Sequence, residues 1–379
     1  MEVSEKINLF GLTRGQLTGF LRRDPSESVA LLDKRAASFG SWMYADKKIS
    51  DKTQGISESY VVKLAETFDC QNTVKINSAR VSKLDGSVKF LVQFKDGLLA
   101  ETVLLLERDR LTLCVSSQVG CGQGCRFCQT GTMGLKRNLS AGEILGQYKV
   151  VADWIRLQPM FQNRLKSSCP PISNVVFMGM GEPLDNVQEV ASACEALIDP
   201  CFFGLSRNKV TVSTVGLLEP LMMLLARVDV CIALSLHASS SEERAKMMPV
   251  ELRSPHQRIL ETLKTKYPHK TIFVQYTLIH GVNDSVESSE CLAELLKGTN
   301  CKVNLIPLNE HSHTSFRRPD LSRLSAFQAV LKKAGIVTTI RFSKGRDIEG
   351  ACGQLVTQAL QADKPVKKSE KREDLVSQL

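Results

Sequence analysis

With 379 residues, 43% of them hydrophobic and 23% charged, the chain can bury one large domain with a smaller one beside it. Twelve cysteines in a chain of this length exclude the disulfide framework of short secreted proteins, and no run of about eighteen apolar residues offers a membrane span. The formal net charge of +9 suits a polyanionic partner, and it resides in the body of the chain, since the last stretch, KPVKKSEKREDLVSQL, holds five basic and three acidic residues.

The first residues, MEVSEKINLFGLTRGQLTGFL, lack both the apolar core of a signal peptide and the Arg/Ser-rich, acid-poor character of a transit peptide, which predicts a cytoplasmic protein. The N-terminal part reads as helical. TRGQ, Thr13 to Gln16, matches a capping box and is followed by an apolar stripe of Leu17, Phe20 and Leu21. SESVALLDKRAASFGSWMY and SESYVVKLAETF predict two further helices, and the basic pairs Arg22-Arg23 and Lys47-Lys48 lie at element ends.

From Ser78 the hydrophobic period changes to two. SARVSKL, SVKFLVQF and LLAETVLLL predict a β-meander with turns at Asp85-Gly86 and Asp96-Gly97. Next come LTLCVSS, NVVFMGM, KVTVSTV, VCIALSLHA, TIFVQYTLI, CKVNLIPLN and GIVTTIRFS, short apolar strands alternating with helical stretches. This alternation implies a parallel sheet with helices outside, and the number of repeats fits a (β/α) barrel, complete or partial, better than an open doubly wound sheet. Polar groups follow successive strands: Gly181-Glu182-Pro183, Ser213-Thr214, Ser235-Leu236-His237 and Asn309. Ligands of a parallel α/β barrel bind at that end. The expected organisation is an accessory domain over 1–90, a core over 91–363 and a charged, solvated tail over 364–379.

The stretch CVSSQVGCGQGCRFCQTGTMG, Cys114 to Gly134, carries four cysteines, three of them in the register C-x3-C-x2-C. Thiolates select zinc, copper(I) or iron–sulfur centres. A structural zinc takes four closed ligands, usually from two C-x2-C knuckles. No second knuckle exists, so zinc would need a distant fourth ligand such as Cys114. Cys121, Cys125 and Cys128 match instead three corners of a [4Fe–4S] cube with the fourth iron left open. The remaining cysteines, Cys194, Cys231 and Cys291 among them, read as small buried hydrophobes.

The C-x3-C-x2-C register after the first strand of a β/α barrel, with Phe127 just before the last cysteine, resembles the radical S-adenosylmethionine (SAM) superfamily. CVSSQVGC, GLKRNL, FMGMGEPLDN, SLHA, MMPV, GVNDS, NLIPLN and DIEGACGQL, in this order and spacing, resemble more specifically the RlmN/Cfr family of adenosine methyltransferases. The match runs from about Gly11 to Leu355. It implies an α/β fold: a partial (β/α) TIM-like radical SAM barrel with a small helical N-terminal accessory domain and a β-meander extension.

The resemblance further implies that Cys121, Cys125 and Cys128 bind a [4Fe–4S] cluster. Gly181, Glu182, Ser213, Ser235, Leu236, His237 and Asn309 would surround SAM, of which two molecules serve each turnover. By motif position Cys352 carries the methyl group as S-methylcysteine and Cys114 resolves the protein–RNA adduct, leaving a transient disulfide. The family pattern also gives Glu101 a proton-accepting role. In the sequence Glu101 shares a strand face with Val103 and Leu105, apolar surroundings that raise a carboxylate's affinity for protons.

The implied activity is methylation of carbon 2 of adenosine in large-subunit rRNA, with tRNA as a second substrate. Carbon 8 is the close alternative, and a zinc-stabilised RNA-binding protein without catalysis is the rival of another class. Expected partners are RNA and a reductant for the cluster and the Cys114–Cys352 disulfide; a monomer without membrane contact is expected. Departures from the family's bacterial pattern fall at Glu251 and Ser254, at Gln275 and at Arg346. They bear on which RNA is bound rather than on the chemistry.

Overall fold

The computed structural model describes residues 8–22, 26–45, 68–69, 72–107, 110–164, 170–311 and 314–355. The capping box closes as expected: Thr13 and Gln16 exchange side-chain and backbone hydrogen bonds at the start of α1 (Arg14–Leu21). α2 (Val29–Ala45) packs beside it. The helix expected over SESYVVKLAETF lies, up to residue 67, outside the described residues, as do Arg23, Lys47, Lys48 and the tail. The N-terminal helices dock on the core. Arg14 Nε lies 3.4 Å from Asp199, and the Ser41 hydroxyl donates to the Cys201 carbonyl at 2.5 Å.

One ten-stranded sheet carries the fold. It begins with β1 (Lys75–Val81), β2 (Val88–Gln93), β3 (Leu99–Leu106) and β4 (Leu111–Cys114), all antiparallel, with the two Asp-Gly turns at positive φ on Gly86 and Gly97. The chain then leaves the sheet for a separate two-stranded ribbon, β5 (Gln118–Cys121) and β6 (Gly134–Asn138). It returns through α3 (Ala141–Leu157) to β7 (Asn174–Phe177), which pairs parallel with β4. From there α4 (Val187–Ile198), β8 (Val210–Thr214), α5 (Leu218–Arg227) and β9 (Cys231–Ser235) continue the alternation. α6 (Ser241–Met247) and α7 (His256–Lys266) precede β10 (Ile272–Leu278), and α8 (Val286–Leu295) precedes β11 (Cys301–Pro307). α9 (Leu321–Lys333) and β12 (Val337–Ile340) complete it. The meander is thus continuous with the parallel strands, and residue 90 lies inside β2.

The two faces of this sheet differ. Val210, Val212, Ile232, Leu234, Val274, Tyr276, Val303 and Leu305 are buried in one apolar core together with Ile144, Leu145, Val190, Leu221, Ile259, Leu292 and Phe327 of the helices. The alternate residues Thr211, Ser213, Ser235, Phe273, Asn304 and Thr339 are half-buried or exposed. A doubly wound sheet would bury both faces. Helices on one face and a polar face opposite are the pattern of a barrel wall, and the ladder runs from β1 to β12 among the described residues. No described helix is long and apolar enough to cross a membrane.

Candidate active site

The ribbon β5–β6 presents the cysteine loop. Cys121 ends β5 opposite Gly134, and the turn between them is pinned from several sides. Cys128 N–H donates to the Cys125 carbonyl at 3.1 Å, Arg126 N–H to Met247 at 2.9 Å and Gln129 N–H to Gly353 at 2.8 Å. Cys125 packs in a small apolar cluster with Val215, Ala238, Met247, Met248 and Val250, against which Phe127 and Cys128 lean. Phe127 meets the His237 ring edge to face at 4.8 Å. Burial raises all three thiols; Cys121 is pushed up to about 12, with repulsion from Cys128, Glu182 and Asp185 adding to it.

The strand ends converge on this loop. After β7, Glu182 is buried and accepts from Thr214 Oγ1 at 2.6 Å and from the N–H groups of Val215 and Leu184, each at 2.9 Å. Burial outweighs these donors and raises its carboxyl to about 7. Gly181 precedes it at φ 105°, and a Cβ there would lie 2.6 Å from Gln118 Cβ. The close approach that demands glycine is therefore to β5. After β9, His237 holds a positive φ of 60°, and its Nδ1 accepts from Thr277 N–H at 2.9 Å. Burial and the nearby Arg244 lower its pKa to about 3, so the ring is neutral with its proton on Nε2. Ser213 and Ser235 hydroxyls stand 3.5 Å apart, and the Leu236 side chain is fully buried.

Arg244 ties these loops together, a role that no short motif announces. It is completely buried and donates to the carbonyls of Val215 at 2.6 Å, Leu236 at 3.0 Å and Ser235 at 3.1 Å. Its counter-ion is Glu251, 2.6 Å away, which also takes His256 Nδ1 at 2.9 Å. Asn283, in GVNDS, works alike: its amide donates to His237 O at 2.7 Å and Thr277 O at 2.8 Å and accepts from Ile279 N–H. The buried cation could have been suspected from SLHA followed by a lone Arg before MMPV, but only the fold supplies its acceptors.

Cys352 arrives on a segment whose regular structure is a single 3-10 turn, Arg346–Ile348. Its carbonyl accepts from Asn309 Nδ2 at 3.0 Å, and Gln129 and Thr130 of the cysteine loop bond the Gly353 and Leu355 carbonyls. Asp347 accepts from Ser82 Oγ at 2.6 Å and Lys83 N–H at 2.9 Å, fastening the same segment to the β1–β2 turn. Cys352 is exposed, whereas Cys114, at the end of β4, is 8% exposed. The two are electrostatic neighbours: burial first and Cys352 second raise the Cys114 thiol. Although the residue is open to solvent at the mouth, the loops packed around its sulfur, then Cys128, push the Cys352 thiol up to about 11. Glu101 is buried as expected, but its surroundings are not purely apolar. Lys89 pairs with it at 3.0 Å and bonds the Glu349 carbonyl, so the pair lies beneath the Cys352 segment. Among the other cysteines Cys194 is buried as expected, Cys231 is half-buried and Cys291 is exposed, because it lies on the outer side of α8.

The residues present fit an iron–sulfur cube. The donors are three thiols on one glycine-rich turn, and among the described residues no three His, Cys, Asp or Glu side chains converge to hold a single ion. A cube takes one thiolate at each of three separate irons. Beside them the Gln129 and Gln354 side-chain carbonyls are buried without a partner.

Replacing Arg244 by Met, which strands Glu251, should lower the unfolding free energy by about 3–5 kcal/mol in chemical denaturation; a loss below about 1 kcal/mol would show that the network bears no strain. The metal-free folded chain holds a proton on Glu182 that the unfolded chain releases between pH 4.5 and about 7. Relative to Glu182→Gln, stability should therefore fall by about 3 kcal/mol as pH rises across that window. Parallel pH profiles of the two would refute this.

Comparison with known proteins places this arrangement. Residues 115–289 match the model of the radical SAM superfamily. Proteins named dual-specificity RNA methyltransferase RlmN match over nearly the whole chain. That of Marinobacter nauticus is 38% identical over 359 residues, 93% of each chain. That of Dinoroseobacter shibae is 38% identical over 358 residues, 92% of this chain and 89% of the relative. The crystal structure of a radical SAM methyltransferase from Sphaerobacter thermophilus superposes with a TM-score of 0.78 at 35% identity, covering 92% of this chain and 99% of that one. Cluster-type cysteine loop, strand-end residues and full-length similarity agree: the chain belongs to the RlmN family of radical SAM RNA methyltransferases.

Proposed function

We propose that the protein methylates carbon 2 of adenosine in RNA, using Cys352 as the methyl carrier and Cys114 to free the product. The observation that carries this reading is the placing of Cys352 between the cysteine loop and Asn309, with Cys114 as its electrostatic neighbour. Large-subunit rRNA at the peptidyl-transferase centre and the tRNA adenosine beside the anticodon are the proposed substrates. The dual-specificity names of the relatives support two RNA classes.

Cys121, Cys125 and Cys128 would hold the [4Fe–4S] cluster, with SAM among Gly181, Glu182, Ser213, Ser235, Leu236, His237 and Asn309. When bound, the cluster and SAM supply the methyl group and the hydrogen-abstracting radical, which an adenine ring carbon without a lone pair requires. The chain does the rest. Glu182 receives the ammonium group of SAM, and neutral His237 offers its Nε2 proton as a donor. The Cys352 sulfur holds the one-carbon unit over the adenine. Glu101, anchored by Lys89, takes the ring proton. Once its own proton is removed, the Cys114 sulfur attacks the Cys352 sulfur: an S–S bond forms and the carbon–sulfur bond breaks with its electron pair left on the methylene carbon. That carbon takes up a proton to become the methyl group of the departing methyladenosine. Two electrons from an external thiol reductant restore both thiols.

Cys114→Ala should accumulate a covalent RNA–protein species on denaturing gels, and its absence would remove the resolving role. Cys352→Ala should abolish methylation while iron and sulfide stay near the wild-type content; normal turnover would refute the carrier. Mass spectrometry of digested product RNA should find 2-methyladenosine, whereas the carbon-8 isomer would overturn the regiochemistry. A chain that keeps zinc and leaves SAM intact after anaerobic reconstitution would overturn catalysis altogether.

A further inference from the structure

Phe342 is the one aromatic side chain among the large exposed hydrophobics of the described residues, 56% open to solvent on the segment that leads to Cys352. A single exposed hydrophobic is ordinary on a protein surface; what sets Phe342 apart is the charge around it. The Arg318 guanidinium stands 5.5 Å over its centroid and so takes one face of a ring that is otherwise largely open to solvent. Around it, Arg317, Arg341 and Arg346 are exposed, and neither they nor Arg318 joins an ion pair among the described residues. Glu310 accepts from the Arg318 backbone N–H at 3.0 Å and attracts its guanidinium, and Asp347 binds Ser82 and Lys83, so these two carboxylates answer only part of the charge of four arginines. Arg318 and Arg346 repel each other, and Arg341 is close enough to act on the Cys352 thiol. Like charges crowded at one rim call for an anion between them.

We propose that Phe342, clamped by Arg318 and ringed by Arg317, Arg341 and Arg346, is a stacking platform for an unpaired RNA base next to the one being methylated. This rests on the methyltransferase reading for its RNA but adds how the substrate is chosen. A flat ring open on one side receives a base only after that base has left its helix, while arginines hold the flanking phosphates. The platform therefore selects looped over duplex RNA. It also accounts for Arg346, one of the positions where the sequence leaves the family's bacterial pattern: a cation there suits a phosphate contact.

The test is fluorescence anisotropy of reconstituted full-length protein with a labelled stem-loop RNA carrying a loop adenosine, and with the same sequence closed into a duplex. Phe342→Ala should weaken stem-loop binding about 5- to 150-fold and leave duplex binding unchanged, and Phe342→Trp should restore it. Arg346→Gln should reduce the slope of log affinity against log salt by about 0.7–0.9. Equal binding of Phe342→Ala and wild type, or equal affinity of wild type for loop and duplex, would overturn the platform. Binding is read without turnover, so loop selection through Phe342 in a protein that cleaves no SAM would sink the methyltransferase reading and keep the platform.

Discussion

Everything at the mouth depends on how residues 341–355 are tied down, because past Ile340 that segment has no strand to pair with. Its anchors come from other elements: the Asn309 amide and the Gln129 backbone N–H at the Cys352 end, Ser82 Oγ and the Lys83 N–H on Asp347, and Lys89 Nζ on the Glu349 carbonyl. Glu349 is held at φ 52°, a conformation that costs a residue with a Cβ about 1–2 kcal/mol. Each hydrogen bond returns about 1 kcal/mol net, so these anchors outweigh that strain by a few kcal/mol, well short of the stability of a whole domain. Local opening of such a stretch needs far less than global unfolding. The carrier role proposed for Cys352, which calls for several partners in turn, would benefit from that. The same chain in a β-strand would be too rigid.

The sheet supplies the opposite property. Its helix-covered face is packed in the apolar core over Val212, Leu234, Val274 and Leu305, which makes the strand ends a fixed frame. The polar positions needed for chemistry alternate with these, so one residue of register slip would exchange the two sets. Arg244 extends the frame beyond the strands by collecting three carbonyls from the loops after β8 and β9. Burying a guanidinium costs several kcal/mol unless it is matched, and Glu251 matches it. A departure from the bacterial pattern at Glu251 thus concerns the support of the site, away from the RNA edge contacts that the sequence suggested.

Strands, the parallel alternation and the polar residues at strand ends were legible because period-two and apolar-run patterns are local. The β5–β6 ribbon was not: GLKRN has no apolar period, and it becomes a strand by pairing with QVGC across the cysteine loop. Lys89 was hidden for a related reason. It lies on a neighbouring strand from Glu101, and only the ladder brings them onto one face. Cys291 shows the reverse error, since a small apolar residue in a helix carries too little signal to say which side of the helix is buried. The candidate site residues were named through motifs, while their supports, Arg244, Asn283 and Lys89, act over distances that the sequence does not display.

The unequal exposure of the two outer cysteines bears on the order of events. A thiol that takes a methyl group must be reachable by a bulky donor, and Cys352 is exposed within the mouth. A thiol that acts last must escape methylation and oxidation until the adduct exists. Cys114 meets that need: it is nearly enclosed, and the pressure of burial on its thiol keeps it protonated and unreactive at neutral pH. Its activation then requires removal of a proton at the moment the adduct forms. Exposure alone, before any appeal to motif position, favours Cys352 as carrier and Cys114 as the sulfur that releases the product.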